Sequence, residues 1–411
     1  MPSPSERTGS DAWERLPGVF ELVRTWAGPA RRAMLVGGSH ARNRGVWAVV
    51  GGREVTLSDL DLYVVLPSHV ETRAAEARAR NARAELASRL LDLGLAAPLD
   101  VGFYTLSDLE SLPASHATLE LRRHGQVVEG DRSTLDAIPS WTPAQAPAEE
   151  ILLLLENRAF ELLLTWRALG AAGELERLQG RHGVLKSALD LATALTLAAG
   201  ELPDRMPERI ASVTERARAG GRGAGAAPES IATRVLANAP DLPELWSLAL
   251  AWRSGRVEAL APREARVEWL RVARAWAVVW GELTAGGPSG REANPYRRAV
   301  LGARRARLRR RVRQAVGFRS RTGIGPGLGS RLAHALRGTP QHRLNAAAVV
   351  LLLSAAHGSG APTLGPAATE ALGILGVPAR DETRDWERAA RALVRAWDLW
   401  ILDGQRTADW G

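Results

Sequence analysis

Met34-Leu-Val-Gly-Gly-Ser-His-Ala-Arg-Asn-Arg44, followed by Leu57-Ser-Asp-Leu-Asp-Leu-Tyr-Val-Val-Leu66, decides how this chain is read. Ala33 to Val36 is a short apolar run ending on Gly37, Gly38 and Ser39. Asp59 and Asp61 stand two apart, so on a strand both point to one face while Leu60 and Leu62 point into a core. Two carboxylates on one face repel each other, and a hard divalent cation between them relieves the repulsion. Mg²⁺ suits such a place because it takes one or two carboxylates together with phosphate oxygens. Glycine lets the preceding backbone turn tightly and approach a ligand. Backbone N–H groups opening the next helix, with the Ser39 hydroxyl, suit a phosphate. A phosphate cradle followed by a carboxylate pair is equipment for metal-assisted phosphoryl transfer. The competing reading makes Asp59 a turn cap and Asp61 part of a solvated strand face.

Two later stretches extend the pattern. Pro98-Leu-Asp-Val-Gly-Phe-Tyr104 places Asp100 on a further strand, with Leu99, Val101 and Phe103 alternating away from it. Leu121-Arg-Arg-His-Gly-Gln-Val-Val-Glu-Gly130 supplies another strand. Taken in order, Gly38-Ser39, Asp59-Leu60-Asp61-Leu62, Asp100 and this last strand resemble the signature of the polymerase-beta-like nucleotidyltransferase superfamily, over about residues 30 to 131.

The resemblance implies an α+β fold with a small mixed sheet. It implies that Asp59, Asp61 and Asp100 hold Mg²⁺ (or Mn²⁺) and carry the catalysis, Asp100 completing a second metal position and helping to deprotonate the acceptor. Gly38 and Ser39 would turn the chain and contact phosphate, and Arg42 or Arg44 would neutralise the β- or γ-phosphate. The implied activity is transfer of a nucleoside monophosphate from a nucleoside triphosphate, ATP first among them, to a hydroxyl of a small molecule, protein or glycan, with release of pyrophosphate. Other readings are a signalling-nucleotide synthase and a catalytically silent nucleotide- or nucleic-acid-binding protein. His40, in the Gly-Ser turn, is a further candidate for contact with phosphate or acceptor.

Two departures from the family pattern stand out. Nineteen residues separate Ser39 from Asp59, and the excess reads as a β-hairpin, Val46 to Val50 and Arg53 to Leu57, about a Gly51-Gly52 turn that would shape acceptor access. Asn43 also stands where small members tend to have glycine.

Alternating helices and strands place the catalytic domain at residues 1–137. Residues 138–147, with three prolines, form a linker. Residues 148–411 show helical periodicity almost throughout and read as a larger all-α domain. The pattern predicts helices over Thr72 to Leu93, Ala148 to Leu169, Gly183 to Ala199 and Arg263 to Leu283, among others. Trp269, Trp276 and Trp280 share one face of the last, which favours core packing over base stacking.

The chain has no cysteine, so a disulfide framework and thiolate metal ligation are excluded. It shows neither an apolar leader core nor a run long enough to span a bilayer, the profile of a cytoplasmic protein. Its charge is uneven. Segment 291–343 holds 15 arginines against one acid, Glu292, whereas the whole chain carries only +9. The helix expected over Pro295 to Val316 therefore presents Arg297 to Arg313 either as a solvated, ion-paired face or as a surface for a polyanion.

Of 54 basic residues, Lys186 is the one lysine. A lysine is a compact point charge, not a planar fork. In relatives of this superfamily a helical domain closes over the nucleotide and grips its triphosphate, and the resemblance assigns that role to Lys186, with Arg158 a weaker candidate. The plain alternative for Lys186 is a stripe-edge lysine whose stem covers core while its head stays in water. For Arg158 it is a surface ion pair.

Overall fold

The computed structural model describes residues 12–220, 230–285, 294–302, 340–358, 361–375 and 383–404. The chain is α+β: a small four-stranded mixed sheet comes first, and a larger helical part follows.

A single helical turn, Ala12–Arg15, leads into helix α1 (Pro17–Ala27). Pro17 takes the first helical position, where a missing N–H costs nothing. Strands β1 (Ala33–Val36), β4 (Leu60–Val65), β5 (Leu99–Tyr104) and β6 (Gln126–Gly130) form the sheet in the order β5-β4-β1-β6. β1 runs antiparallel to β4 and to β6, and β4 runs parallel to β5. Strand alternation sorts the side chains as the sequence suggests. Leu60, Leu62, Val64, Val101, Phe103, Met34 and Val36 enter one core with α1 and with helix α2 (His69–Asn81). Leu35, Val65 and Ala33 enter a smaller core with Leu121 and Ile138 on the opposite face, and Asp61 shares that face.

The helix expected over Thr72 to Leu93 begins earlier, at a Ser68 cap that accepts from the Glu71 amide, and breaks at Ala82 into α2 and α3 (Arg83–Asp92). Gly94 stops it in the left-handed region, φ 85°.

Strands β2 (Trp47–Val50) and β3 (Arg53–Thr56) are the inserted hairpin, turning on Gly51 and Gly52 at φ 57° and 79°. Its inner side chains have a destination beyond the sheet. Val46, Ala48, Val55 and Leu57 pack into the core of the helical part, not into the sheet's core. The hairpin is a wedge that docks one part of the chain on the other.

In the helical part, α6 (Ala148–Leu169) and α7 (Glu174–Ala198) pack side by side as the central pair, with α4 (Leu106–Glu110) and α5 (His116–His124) preceding them in the first part. Helix α7 starts well before the expected Gly183. Gly180 and Gly183 are contact points, not breaks: a Cβ at Gly180 would press on Ala168 and Leu169, and one at Gly183 on Thr165. Helices α8 (Met206–Gly220), α9 (Ile231–Asn238), α10 (Leu242–Arg253) and α11 (Pro262–Ala285) follow. Then come α12 (Pro295–Gly302), α13 (Pro340–His357), α14 (Pro366–Leu375) and α15 (Thr383–Gly404).

Trp269, Trp276 and Trp280 are fully buried, which assigns them to the core and removes base stacking. Trp269 donates its indole N–H to the Leu162 carbonyl at 2.7 Å and Trp276 to that of Leu155 at 2.9 Å, so these two fillers also satisfy their polar edges, whereas the buried Trp280 N–H has no partner among the described residues. No described helix is long and apolar enough to cross a membrane.

Of the basic segment, Arg297, Arg298 and Arg343 are described, and Arg343 donates to the Leu375 carbonyl at 3.1 Å. Arg297 pairs with Glu370 at 3.4 Å, and Arg298 donates to the Gly281 carbonyl at 3.2 Å and to Thr284 at 3.1 Å. Arg304 to Arg313 lie outside the described residues, as does the helix expected over Leu332 to Leu336.

The segment at 138–147 is a connection, but a seated one. Ile138 is buried in the smaller sheet core, and the Trp141 indole donates to the Leu112 carbonyl at 3.1 Å.

One buried carboxylate ties the two parts together. Glu120 on α5 pairs with Arg42 from the Gly-Ser turn and with Arg209 on α8. Arg209 also donates to Thr193 on α7 at 3.1 Å. Burial by itself would raise the Glu120 carboxyl, but the two guanidiniums and His116 outweigh it and hold the group below its ordinary value. A depressed carboxylate contributes stability that is complete above its ordinary range and disappears as pH falls through its lowered native value. Docking should therefore hold from neutral pH down to the carboxylate range and fail in acid. Glu120→Gln should remove it at all pH and lower stability by about 3–5 kcal/mol, because it strands two buried cations. Urea unfolding followed by tryptophan fluorescence checks both; an unchanged midpoint in Glu120→Gln would refute the clamp.

Candidate active site

The pairing of β4 with β5 sets Asp61 directly opposite Asp100. Asp59 sits just before β4, where the Leu60 amide donates to the Pro98 carbonyl at 3.1 Å and pulls the two strand starts together. The three carboxylates therefore gather at one end of one strand pair. Asp59 and Asp61 are partly buried and Asp100 is exposed.

Opposite them is the Gly-Ser turn. The Gly37 amide donates to the Asp61 carbonyl at 2.9 Å, so β1 carries the turn onto the carboxylates. Gly38 has φ 63°, and a Cβ there would overlap the Asp61 carboxylate. Both the backbone angle and the close approach demand glycine. The Ser39 hydroxyl is buried and has no hydrogen-bond partner among the described residues, a donor held in readiness for an acceptor.

The helix expected after the turn is a correction: His40–Arg42 is a single 3-10 turn, too short to aim a helix terminus at a phosphate. The cradle reduces to the Gly38 backbone and the Ser39 hydroxyl. Asn43 is left-handed, φ 51° and ψ 38°, a conformation glycine and asparagine both tolerate, which accounts for asparagine at a position where glycine is usual.

His40 is not a phosphate ligand. It is buried, its Nε2 lies 3.3 Å from both the Ser58 carbonyl and the Thr56 hydroxyl, and its ring meets Trp47 edge-on. Burial pulls its pKa down and keeps it neutral. Its work is to fix the residues that lead into Asp59. Arg42 is likewise removed from the phosphate site, because Glu120 holds it. Arg44 stays close: its amide donates to the Ser39 carbonyl at 2.9 Å.

The helical part closes the site. Lys186 on α7 reaches across, its ammonium 2.8 Å from the Asp59 carboxylate and 4.0 Å from Glu161 on α6. The Asp59 side chain remains 35 % exposed and that of Lys186 22 %, so the pair borders a space a ligand can enter. Arg158 is committed elsewhere: it pairs with Asp190 at 2.6 Å and with Glu161, locking α6 to α7 beside Lys186. Arg158 is an ion pair, but a largely buried one, its side chain 13 % exposed, and not the surface pair expected.

Helical spacing puts His182 one turn before Lys186 and Asp190 one turn after it. Those neighbours were legible in the sequence, yet the i−4 and i+4 positions only acquire meaning once Lys186 is known to face the carboxylates. His182 accepts the Trp252 indole N–H on Nδ1 at 3.1 Å. Burial and the adjacent Lys186 ammonium push its pKa down to about 3, so it is a neutral wall.

The electrostatics separate the carboxylates. Burial alone would raise Asp59, but Lys186, helped by Arg158 and His182, holds it well below its ordinary value. Asp61 lacks such a partner. Burial, then Asp59, then Asp100 push it up to about 7, against a smaller pull from Lys186 and Arg158. Lys186 is raised, since Asp59 and Glu161 outweigh its desolvation. The site is thus short of positive charge at Asp61.

That shortage is the test of whether a divalent cation fits. Among the described residues no group of three or more His, Cys, Asp or Glu side chains is gathered to hold a metal by itself. The donor set fits Mg²⁺ in its other mode, one or two carboxylates with the remaining positions filled by phosphate and water. Asp61 and Asp59 would hold it, with Asp100 alongside.

Comparison with protein-family models, with curated proteins and with solved structures finds no match to this chain.

Because a proton and a cation compete for Asp61, Mn²⁺ affinity should rise with pH through about 7 and level off above it. Titration calorimetry at pH 6 and pH 8 should show the difference; equal affinity at both would contradict the assignment. Asp61→Asn should abolish Mn²⁺ binding and, in metal-free buffer above pH 7, raise the melting temperature, since it removes the repulsion without changing volume. Loss of both binding and stability would indicate a structural role instead.

Proposed function

We propose that this chain is a Mg²⁺-dependent nucleotidyltransferase of the polymerase-beta-like class, moving a nucleoside monophosphate from a nucleoside triphosphate to a hydroxyl acceptor. The observation that supports it best is the in-register pair Asp61–Asp100 with Asp59 beside it, faced by the glycine turn on one side and by Lys186, 2.8 Å from Asp59, on the other.

Each part has a role that its position allows. Gly38 lets the backbone lie against Asp61, and Ser39 offers a hydroxyl with no partner of its own to a phosphate oxygen. Asp59 and Asp61 would hold Mg²⁺, which when bound neutralises the phosphates and stabilises charge on the leaving pyrophosphate. Asp100, exposed and adjacent, is placed to take the proton of an incoming hydroxyl. Lys186 carries a charge that serves either a carboxylate or a phosphate oxygen, so nucleotide entry would exchange one contact for another. The wedge of β2 and β3 and the Glu120 clamp keep the two halves of the site in register.

The test is incubation of the purified protein with each α-labelled ribonucleoside triphosphate and Mg²⁺, following pyrophosphate release and the labelled product. Release of pyrophosphate that disappears in Asp59→Asn and Asp61→Asn is the expected result. Lys186→Ala should raise the triphosphate KM about ten- to a hundredfold, the worth of one charge-assisted contact. Lys186→Arg should raise it less but measurably, since a planar fork fits a point-charge site poorly. Failure of every triphosphate to release pyrophosphate would sink the transferase reading, and a silent Lys186→Arg would return Lys186 to an ordinary surface-edge role. The identity of the labelled product separates transfer to a foreign hydroxyl from synthesis of a signalling nucleotide.

A further inference from the structure

Two tyrosines lie beside the carboxylates on the same face of the sheet. The register sets Asp61 opposite Asp100 and, one step on, Tyr63 opposite Gly102. Tyr104 arises a further step along β5, opposite Val65, yet its ring does not stay there. The ring folds back over Gly102, so that a Cβ at that glycine would overlap the Tyr104 ring and hydroxyl. There it stacks on Tyr63, with ring centroids 5.7 Å apart and planes 27° from parallel. Tyr63 in turn lies over Gly37, where a Cβ would come within 2.9 Å of its ring. Gly37 follows Val36, the partner of Leu62, and so stands level with Asp61. Both rings therefore lean toward the carboxylate end of their strands.

Glycine inside a strand weakens it and marks a place that something must approach closely. What Gly37 and Gly102 admit is a flat aromatic ring in each case. A β-branched residue at position 102 would favour the strand, but it would lift Tyr104 off the sheet. The tyrosine pair packs against the smaller core of Leu109, Leu121 and Ile138. It is not sealed there: both tyrosines and Gly102 keep part of their surface, and Asp100, one step away, is exposed. The outcome is an aromatic surface bordered by carboxylates.

We propose that Tyr63 and Tyr104 form the platform on which the acceptor lies, and that the acceptor is a saccharide without phosphate groups. The inference rests on the transferase reading for its meaning. One face of a pyranose ring is lined with C–H groups and lies flat on an aromatic ring, whose face is electron-rich. Its hydroxyls donate to carboxylates at the edge of that platform. Asp100 adjoins the platform, so a hydroxyl at the near edge of the sugar meets the group placed to take its proton. The same carboxylates repel a phosphate, which disfavours a phosphorylated sugar or a nucleotide as the acceptor.

The experiment is saturation-transfer NMR on the full chain with cellobiose, and separately with adenosine and with glucose 6-phosphate. Cellobiose should bind, with the protons of one ring face saturated more strongly than those of the other. Tyr63→Leu and Tyr104→Leu keep apolar bulk and lose the ring, and each should weaken binding about two- to tenfold, the worth of one aromatic contact. Tyr104→Phe, which keeps the ring, should bind as the wild type does. Where pyrophosphate is released, Tyr104→Leu should raise the KM for cellobiose and not that for the triphosphate, whereas a merely structural tyrosine would disturb both. If a Leu variant does not fold, the face pattern in the wild type decides the case. No cellobiose binding, equal saturation of both ring faces, or adenosine or glucose 6-phosphate binding more tightly than cellobiose would overturn the proposal. Tyrosine-dependent cellobiose binding in a protein that releases no pyrophosphate would keep the platform and remove the transferase reading; pyrophosphate release without saccharide binding would do the reverse.

Discussion

Repulsion among Asp59, Asp61 and Asp100 is the constraint on which the rest of the structure depends. Strand pairing fixes Asp61 opposite Asp100. The chain answers the repulsion unequally. Lys186 crosses from the helical part to neutralise Asp59, while Asp61 is left with a carboxyl pushed up to about 7. A protein selected only for stability would replace Asp61 with an apolar or amide residue. Keeping it costs stability, and such costs concentrate at functional sites.

The ion pair also explains the architecture around it. Lys186 reaches Asp59 only if α7 is held at a fixed height over the sheet. Three devices do this: the hairpin wedge of Val46, Ala48, Val55 and Leu57, the Glu120 clamp on Arg42 and Arg209, and the Arg158–Asp190 pair that locks α6 to α7. Two of these arginines, Arg42 and Arg158, were expected, or open, to serve ligands. They serve the frame instead.

Much of this was legible in the residues. The alternation Leu60-Asp61-Leu62 gave the strand faces, Gly51-Gly52 gave the hairpin, and the single lysine among so many arginines drew attention to the residue that pairs with Asp59. What the residues could not give is whatever depends on pairing across long separations. Arg42 reads as a phosphate ligand until Glu120, far along the chain, is seen to hold it. His40 reads as a turn residue facing a ligand until Thr56 and Ser58 are seen to bury it. Gly183 reads as a helix start until α6 is seen packed against it.

The measurement that bears most directly on the carboxylate site is a crystal structure with Mg²⁺ and a triphosphate that cannot be cleaved at the α-phosphorus. A transferase site requires the cation on Asp59 and Asp61, a phosphate oxygen on the Ser39 hydroxyl, and the Lys186 ammonium moved from Asp59 to a phosphate oxygen. A nucleotide bound away from these carboxylates, or Lys186 still paired with Asp59 while the cation sits elsewhere, would contradict it.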